Sequence, residues 1–226
     1  MPHIIRPAVA QDISAIVTLS EQVWDTPFSQ ETIATALAQD GHRAHVIDTL
    51  DGIMGYISSF LTYSSQGVER WEVDLLAIHP NYRNKGAGRA LVHATTAAGR
   101  AISANIARAL VRVSNTPMHH VMAACDYVRS EETYALYVTQ PHHHDNYALT
   151  CDETWLLPVK TFSYAGIWLE GAITLNAINT AHKLAAEKQA DTLGAVIPLS
   201  HVHDCRLLES QGFEMIGEFH WWQRAL

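Results

Sequence analysis

The segment of residues 83–89 has the residue types and spacing of an anion-binding loop. Its sequence is Arg83-Asn84-Lys85-Gly86-Ala87-Gly88-Arg89. An apolar run that predicts a strand precedes it, and an Ala- and Leu-rich run that predicts a helix follows it. The first amide groups of a helix have no partner within the helix, and the helix dipole favours negative charge at that end. Two glycines there would let a diphosphate approach the backbone, so the segment predicts a phosphate site.

Two carboxylates lie in the predicted strand just before this loop. Because strand residues alternate between faces, the strand of residues 71–78 is expected to place both carboxylates on one face, which becomes apolar towards the loop. That face comprises Glu72, Asp74, Leu76 and Ile78. Carboxylates in this setting are suited to binding a protonated amine and accepting its proton. The alternative is that both are surface carboxylates at a strand end.

The composition narrows the class of protein. The chain has 226 residues, of which 48% are apolar and 17% charged, which indicates a globular protein with an ample core. A formal net charge of −8 argues against a nucleic-acid groove. No apolar run reaches the roughly 20 residues that cross a bilayer, and residues 1–6 do not resemble a signal peptide. We therefore expect a cytoplasmic protein that binds neither nucleic acid nor membrane.

A metal site is not expected. Cys125, Cys151 and Cys205 lack paired or metal-type spacing, which suits reduced thiols. Three consecutive histidines, residues 142–144, precede Asp145. They could bind a metal, but adjacent residues rarely point at one centre, so we expect a solvated loop.

The elements that position the loop follow from apolar periodicity and turn signals. The predicted strands of this part of the chain are residues 3–6, 44–48, 53–63, 71–78, 108–113 and 134–139. The predicted helices are residues 13–23, 30–39, 89–104 and 115–124. The dipeptide Asp51-Gly52 favours a tight hairpin between the second and third strands. This order places the basic loop between the fourth strand and the third helix.

The spacing Arg83-x-x-Gly86-x-Gly88 lacks the Gly-Lys-Ser/Thr ending of a P-loop and the Gly-x-Gly-x-x-Gly of a dinucleotide fold. It resembles instead the pyrophosphate loop of the GNAT superfamily, the acyl-coenzyme A-dependent N-acyltransferases. The preceding Leu-Ala-Ile-His-Pro of residues 76–80 and Tyr82 are also typical of that family. The resemblance covers residues 3–140 and implies a mixed α/β fold of the α+β kind, with a central twisted sheet flanked by helices. The alternative is a glycine-rich turn that binds no ligand.

By this resemblance the cofactor is acetyl-coenzyme A. Backbone groups of the fourth strand would pair with the pantetheine arm as an added strand does, and the amides of residues 83–89 would hold the pyrophosphate. The implied cofactor-binding residues are Leu76, Ala77, Ile78, Arg83, Asn84, Lys85, Gly86, Ala87, Gly88, Arg89 and Asn115.

The resemblance also implies a catalytic carboxylate. In the histone acetyltransferases of this superfamily, the catalytic glutamate precedes the apolar strand at the position that Glu72 occupies here. We expect Glu72 to act as the general base, directly or through water, with Asp74 as the second candidate.

One departure from the family pattern concerns the general acid. Many members carry a tyrosine, proposed to protonate the leaving thiolate, where this chain has Met122. Thiolate departure then needs no acid, or another side chain replaces the tyrosine. The candidates are Tyr127, Cys125, His119 and His120.

The second part of the chain repeats the pattern of the first. With an offset of 86 residues, Ser114 aligns with Ser200, and the apolar strands before them match. We interpret this as an internal repeat of the C-terminal half of the GNAT fold, the alternative being a chance match of two strand–helix units. The repeat has no counterpart of the basic glycine loop, so it should not bind a diphosphate. The predicted divisions are a catalytic domain at residues 1–140, a linker at 141–152 and a partial repeat at 153–226.

These observations predict one active site in each chain. The expected function is transfer of an acetyl group from acetyl-coenzyme A to the primary amine of a small molecule or peptide, by direct attack in a ternary complex. The alternative is a non-catalytic or regulatory module that binds coenzyme A. The repeat would pack against the first domain, shape the acceptor pocket or form a homodimer.

Overall fold

The computed structural model describes residues 4–24, 28–142 and 153–226. In the part before residue 143, the strands are β1 (Ile4–Pro7), β2 (His42–Thr49), β3 (Gly52–Tyr63), β4 (Glu69–Ile78), β5 (Ile106–Arg112), β6 (Val128–Arg129) and β7 (Tyr134–Thr139). The helices of this part are α1 (Ile13–Glu21), α2 (Gln30–Leu37), α3 (Ala87–Ala101) and α4 (Thr116–Ala124). The second part contains β8 (Thr154–Lys160), β9 (Ala165–Gly171), α5 (Leu175–Lys188), β10 (Thr192–Pro198), α6 (Val202–Ser210) and β11 (Glu214–Ala225).

The described strands form one mixed sheet of 11 strands in the order β1-β2-β3-β4-β5-β11-β7-β10-β9-β8, with β6 paired to β11. Strands β1 to β4 pair antiparallel, whereas β4 and β5 are parallel and connected through α3. This arrangement confirms the predicted mixed α/β fold with helices flanking a central sheet.

Helices cover both faces of the first part of the sheet. Helices α1 and α2 pack on the face that carries Val46, Tyr56 and Ala77, while α3 and α4 pack on the opposite face. Ile57 follows Tyr56, and Ile78 follows Ala77. Because adjacent strand residues point to opposite faces, both isoleucines lie in the core under α3 and α4.

The internal repeat is confirmed. Strand β10 and helix α6 begin and end 86 residues after β5 and α4, respectively. The residues that follow the two helices match as well, because Asp126 has a φ of 59° and its counterpart Gly212 a φ of 79°. The sequence offset therefore corresponds to a repeated local structure.

The two parts exchange their last strands. Strand β11, which ends the second part, lies antiparallel to β5 of the first part. Strand β7 of the first part lies antiparallel to β10 of the second, and β7 and β11 pair with each other at the centre. The sheet is therefore continuous between the parts.

Strand β8 was not predicted from the sequence. It lies at the edge of the sheet, where Pro158 pairs with Ile167 and the missing amide hydrogen of proline is tolerated. Strand β9 begins at Ala165, directly after the turn that follows β8. The predicted division at residues 141–152 stays a prediction, because His143 to Asp152 lie outside the described residues.

Candidate active site

The site begins where β4 and β5 separate. In the described part of the chain these strands pair only at Arg70 with Ile106, Trp71 with Ala107 and Glu72 with Arg108. Beyond Glu72, β4 continues beside β3 to Ile78, and β5 continues beside β11. The edge of β4 that faces β5 is therefore available to a ligand between Val73 and Ile78, as an unpaired strand edge is.

A bulge in β4 changes which residues lie on the same face of the strand as Glu72 and Asp74. The register shifts between Ile57 and Ser59 of β3, so that Asp74 and Leu75 both lie opposite Ser58. Leu76 consequently packs with the core under α3, while Leu75 packs with the core under α1 and α2. The prediction that Glu72 and Asp74 share a face with Leu76 and Ile78 is wrong, because the extra residue reverses the alternation after Asp74.

The basic loop ends in a glycine N-cap. Gly86 precedes α3 with a φ of 81°, a left-handed conformation that favours glycine, and it provides no side chain to cap the first helical amides. A Cβ atom at Gly88 would lie 3.4 Å from Val121, an ordinary contact, so protein packing does not require glycine there. The first turn of α3 thus presents amide groups to the space outside it.

A cavity of about 870 Å³ joins this helix end to the open edge of β4. Two arginines line it, and among the described residues no acidic side chain does, so it suits an anionic ligand. The predicted cofactor residues that line it are Leu76, Ile78, Arg83, Asn84, Gly86, Ala87, Gly88, Arg89 and Asn115.

Two predicted cofactor residues do not line this cavity. The Ala77 side chain is fully buried in the core under α1 and α2. The ammonium group of Lys85 donates a hydrogen bond to the carbonyl oxygen of Asn81, 2.7 Å away.

Helix α4 supplies the wall that sequence reasoning missed. Its residues Met118, His120, Val121 and Ala124 face the cavity. The side chain of Asn115 caps this helix by accepting a hydrogen bond from the Met118 amide at 3.2 Å. The capping residue Asn115 indicates in the sequence where α4 begins. Which side of α4 faces β4 depends on tertiary packing and could not be predicted from that signal.

Glu72 lies in a buried group of charges, which we call the ion cluster: Arg70, Glu72, Arg108 and Glu170. Glu72 is 4% exposed, and Arg108 Nε lies 2.9 and 2.8 Å from its two carboxylate oxygens. Thr62 also donates a hydrogen bond to Glu72. Burial raises the pKa of Glu72, and the charge of Arg108 opposes that shift. The carboxylate of Glu72 is therefore engaged in ion pairs.

Asp74 is in a different environment. Its side chain is exposed, and Ser58 Oγ donates a hydrogen bond to Asp74 Oδ2 at 3.4 Å. Although solvent reaches the carboxylate, the protein around it reduces its hydration and raises its pKa to about 7. The negative charge of Glu72 adds to this rise, and the hydrogen bond from Ser58 opposes it. A carboxylate that titrates near neutral pH and is open to solvent can accept a proton.

Of the residues considered for the general acid, only His120 lines the cavity. Met122 and Cys125 are fully buried, and the Tyr127 hydroxyl is paired with Thr96 at 2.8 Å. His119 accepts a hydrogen bond from Trp222 Nε1 at 3.0 Å.

The described ranges contain no group of three or more His, Cys, Asp or Glu side chains that could hold a metal ion. The predicted histidine loop extends outside those ranges, since His143 and His144 are not described. None of the helices within residues 4–24, 28–142 and 153–226 combines the length and apolarity needed to cross a membrane.

The sequence and fold were compared with known proteins. The model of the acetyltransferase (GNAT) family matches residues 11–127. No curated protein matches the chain. A tandem GNAT protein from the clavulanic acid biosynthesis pathway is 14% identical with a TM-score of 0.62, the match covering 99% of this chain and 98% of that one.

Two other solved structures have similar folds. A GCN5-related N-acetyltransferase from Sphaerobacter thermophilus is 13% identical with a TM-score of 0.62, covering 99% of this chain and 95% of that one. A glucosamine N-acetyltransferase region in a fungal multi-domain GH3 β-N-acetylglucosaminidase is 9% identical with a TM-score of 0.63. That match covers 99% of this chain but only 38% of the fungal one. At these identities the likeness is one of fold.

Proposed function

This chain belongs to the acetyltransferase (GNAT) family, and from that premise we propose that it transfers the acetyl group of acetyl-coenzyme A to a primary amine. The observation that carries the proposal is the cavity that joins the N-terminus of α3 to the open edge of β4. The cavity is lined by Leu76, two residues after Asp74 in β4, which supports a reaction near the bulge of β4.

The cavity offers a separate partner for each part of coenzyme A. The amides at the start of α3, with Arg83 and Arg89, would hold the pyrophosphate. The open edge of β4 from Leu76 to Ile78 would pair with the amide groups of the pantetheine arm. A NatC complex that is 16% identical, with a TM-score of 0.52, was solved with coenzyme A, which supports this choice of cosubstrate.

We assign the general base to Asp74 rather than to Glu72. An amine attacks only when neutral, so a base must take a proton from the ammonium group. Glu72 is held by Arg108 and Arg70 inside the ion cluster, whereas Asp74 is exposed and titrates at a pKa of about 7. Asp74 is therefore the carboxylate that can take the proton, directly or through one water molecule.

In the proposed reaction, the amine attacks the thioester directly. When bound, acetyl-coenzyme A supplies a thioester, whose carbonyl carbon forms a bond to the amine nitrogen as its bond to sulfur breaks. The ammonium gives one proton to Asp74 before attack, and the nitrogen loses a second as the amide forms. That second proton goes to the departing sulfur, so that coenzyme A leaves as the thiol, or to water, so that it leaves as the thiolate.

A covalent cysteine relay is not supported by the described cysteines. Cys125 and Cys205 are both buried, and burial raises the pKa of the Cys125 thiol, which disfavours the reactive thiolate. Direct transfer in a ternary complex is therefore the route that we propose.

A module that only binds coenzyme A is the second candidate, because buried Met122 replaces the usual tyrosine. Both candidate functions place coenzyme A in the cavity, but only the transferase requires Asp74 as a base. The amine, whether of a small molecule or a peptide, the cytoplasmic location and homodimer formation stay predictions from the sequence.

The experiment that tests the cosubstrate is calorimetry with acetyl-coenzyme A. We expect binding by the wild type and a loss of about 100-fold or more in Gly88→Glu, which adds bulk and negative charge at the start of α3. The matched control is Ala172→Glu before α5, which should bind normally. Equal binding by Gly88→Glu and the wild type would reject the assigned cavity, and absence of binding by the wild type would reject the function.

A further inference from the structure

The turn between β8 and β9, residues 161–164, is a rigid part of the second half. Thr161 is buried, and its hydroxyl accepts hydrogen bonds from the amides of Ser163 at 3.1 Å and Tyr164 at 3.2 Å. The Thr161 amide donates to the carbonyl oxygen of Tyr164 at 2.9 Å. Because the hydroxyl and the backbone both close the turn, its side chains are held in defined directions.

Phe162, in this turn, is inserted into the core of the first half. It is 0% exposed and packs with residues of α1, α2 and β3. Its ring centroid lies 5.1 Å from that of His42 and 6.0 Å from that of Tyr56. The turn is therefore anchored to the first half beside β3.

Three aromatic residues, Phe60, Tyr164 and Trp168, then form what we call the aromatic wall. The rings of Phe60 and Trp168 lie 5.8 Å apart, and Trp168 Nε1 donates a hydrogen bond to the Tyr164 hydroxyl at 2.9 Å. All three pack in one apolar cluster with residues of β8. Tyr164 and Trp168 are only half-buried, so part of the wall is open to solvent.

The aromatic wall lies beside Asp74. Phe60 and Ser58 are two residues apart on β3 and therefore point to the same face, and Ser58 is hydrogen-bonded to Asp74. Burial raises the pKa of Tyr164, and the negative charge of Asp74 adds to that rise. Asp74 of the first half and the aromatic wall, which includes Tyr164 and Trp168 of the second half, are thus linked through Ser58 and Phe60 on one face of β3.

We propose that the surface between Asp74 and the aromatic wall is the acceptor site and that it selects primary amines attached to an aromatic or large apolar group. The inference rests on the proposed function and extends it, because it assigns Tyr164 and Trp168 of the second half to acceptor binding. An ammonium group would lie near Asp74, attracted by its charge and by the faces of the aromatic rings. The apolar group of the amine would pack on the aromatic wall. A small amine would leave the wall exposed to solvent and would gain no binding energy from it.

The test compares 2-phenylethylamine with propylamine in a thiol-release assay, using the ratio of their kcat/KM values. Differences in intrinsic reactivity cancel when this ratio is compared between wild type and variant. We expect Tyr164→Ala to lower the ratio about tenfold, mainly through KM for 2-phenylethylamine, and Tyr164→Phe to retain it. The control Tyr63→Ala, at an exposed tyrosine at the end of β3, should leave the ratio unchanged.

Calorimetry on the coenzyme A complex separates this inference from the proposed function. Binding of 2-phenylethylammonium that depends on Tyr164, without turnover of either amine, would keep the aromatic site and reject the transferase. Turnover of propylamine with no binding of 2-phenylethylamine would overturn the aromatic site and leave the transferase. A ratio that Tyr164→Ala does not change, in a variant that still binds coenzyme A, would also overturn it.

Discussion

The two halves of this protein share a scaffold but differ in the connection that enters the long helix. In the first half residues 79–86 connect β4 to α3, and in the second residues 172–174 connect β9 to α5. Gly86, the N-cap of α3, provides no side-chain hydrogen bond, whereas the Thr174 hydroxyl caps α5 by accepting from the Ala177 amide at 3.1 Å. The N-cap side chain of α5 thus pairs with a backbone amide of the first turn, whereas the N-cap of α3 offers its first-turn amides no such partner.

The halves also differ in the use of matching carboxylates. Asp74 and Glu170 each lie four residues after the first position where the two parallel strands pair, Arg70 in β4 and Gly166 in β9. Asp74 is exposed at a bulge, while Glu170 lies 2.8 Å from Arg70 and 3.0 Å from Arg108 of the first half. We propose that the first position serves chemistry, whereas its counterpart joins the halves, so that a repeated scaffold need not repeat a site.

The largest effect is expected at Asp74. Asp74→Asn should lower kcat for amine acetylation by about 10²–10⁴-fold, because the amide cannot accept the proton. Coenzyme A affinity should not change, since Asp74 does not line the cavity at α3. The matched control is Asp51→Asn, at an exposed aspartate in the turn between β2 and β3, and equal activity of both variants would contradict the assignment of Asp74.

The same substitution should not unfold the protein. The pKa of Asp74 is raised from 3.8 to about 7, so the folded state binds a proton more tightly than the unfolded state. Stability contributed by this group therefore falls as pH rises between those values, and Asp74→Asn should raise Tm at pH 8 relative to the wild type. A thermal unfolding scan at pH 8 checks the direction.

The pH dependence of the reaction gives the next largest effect. Because Asp74 must be ionised to act as base, kcat should fall about tenfold for each pH unit below its pKa of about 7. A profile of kcat from pH 5 to 9 measures this. A profile that stays flat through pH 7 would favour a base with an ordinary carboxylate pKa.

Loss of the contact between the halves should reduce stability. Glu170→Gln leaves Arg70 and Arg108 with Glu72 as their remaining partner in the ion cluster. We expect a loss of about 2–3 kcal/mol in the free energy of unfolding, below the range for fully buried pairs because 26% of the Glu170 side chain is exposed. Urea unfolding measures it, with exposed Glu187→Gln as control. A loss no larger than that of the control would show that the cluster does not join the halves.

The smallest effect concerns the left-handed residues after α4 and α6. Gly212→Ala should cost about 1 kcal/mol, because alanine disfavours a φ of 79° although no atom lies within 4 Å of the added Cβ. Asp126→Gly, at the matching position, should change the free energy of unfolding by about 0.5 kcal/mol or less, since aspartate tolerates this conformation. Effects of opposite order would contradict the structural equivalence of the two positions.

Much of the scaffold could be predicted because its signals are local. The loop of residues 83–89, the hairpin at Asp51-Gly52 and the cap of α4 at Asn115 depend on residues close together in the chain. The repeat was visible for the same reason, since matching strands and helices require matching apolar patterns.

The roles of the carboxylates could not be predicted in this way. Simple alternation placed Glu72 and Asp74 with Leu76, but the bulge opposite Ser58 changed that relation. A bulge depends on the register with a neighbouring strand, which the sequence of β4 does not specify by itself. The exchange of β7 and β11 and the presence of edge strand β8 could not be predicted either, because both depend on pairing between strands that are distant in the sequence.

The sequence by itself determined that the chain has the basic glycine loop of residues 83–89 once and the surrounding strand–helix scaffold twice. Glycine spacing and apolar periodicity are properties of neighbouring residues, so they persist whatever the distant contacts. Only the tertiary structure decided that Glu72 is enclosed by arginines and that Asp74 is exposed. It also decided that Tyr164 and Trp168 of the second half form a wall with Phe60, on the face of β3 where Ser58 binds Asp74. Those facts depend on burial and on charges brought together from distant segments, and burial and charge are what set a carboxylate's capacity to accept a proton.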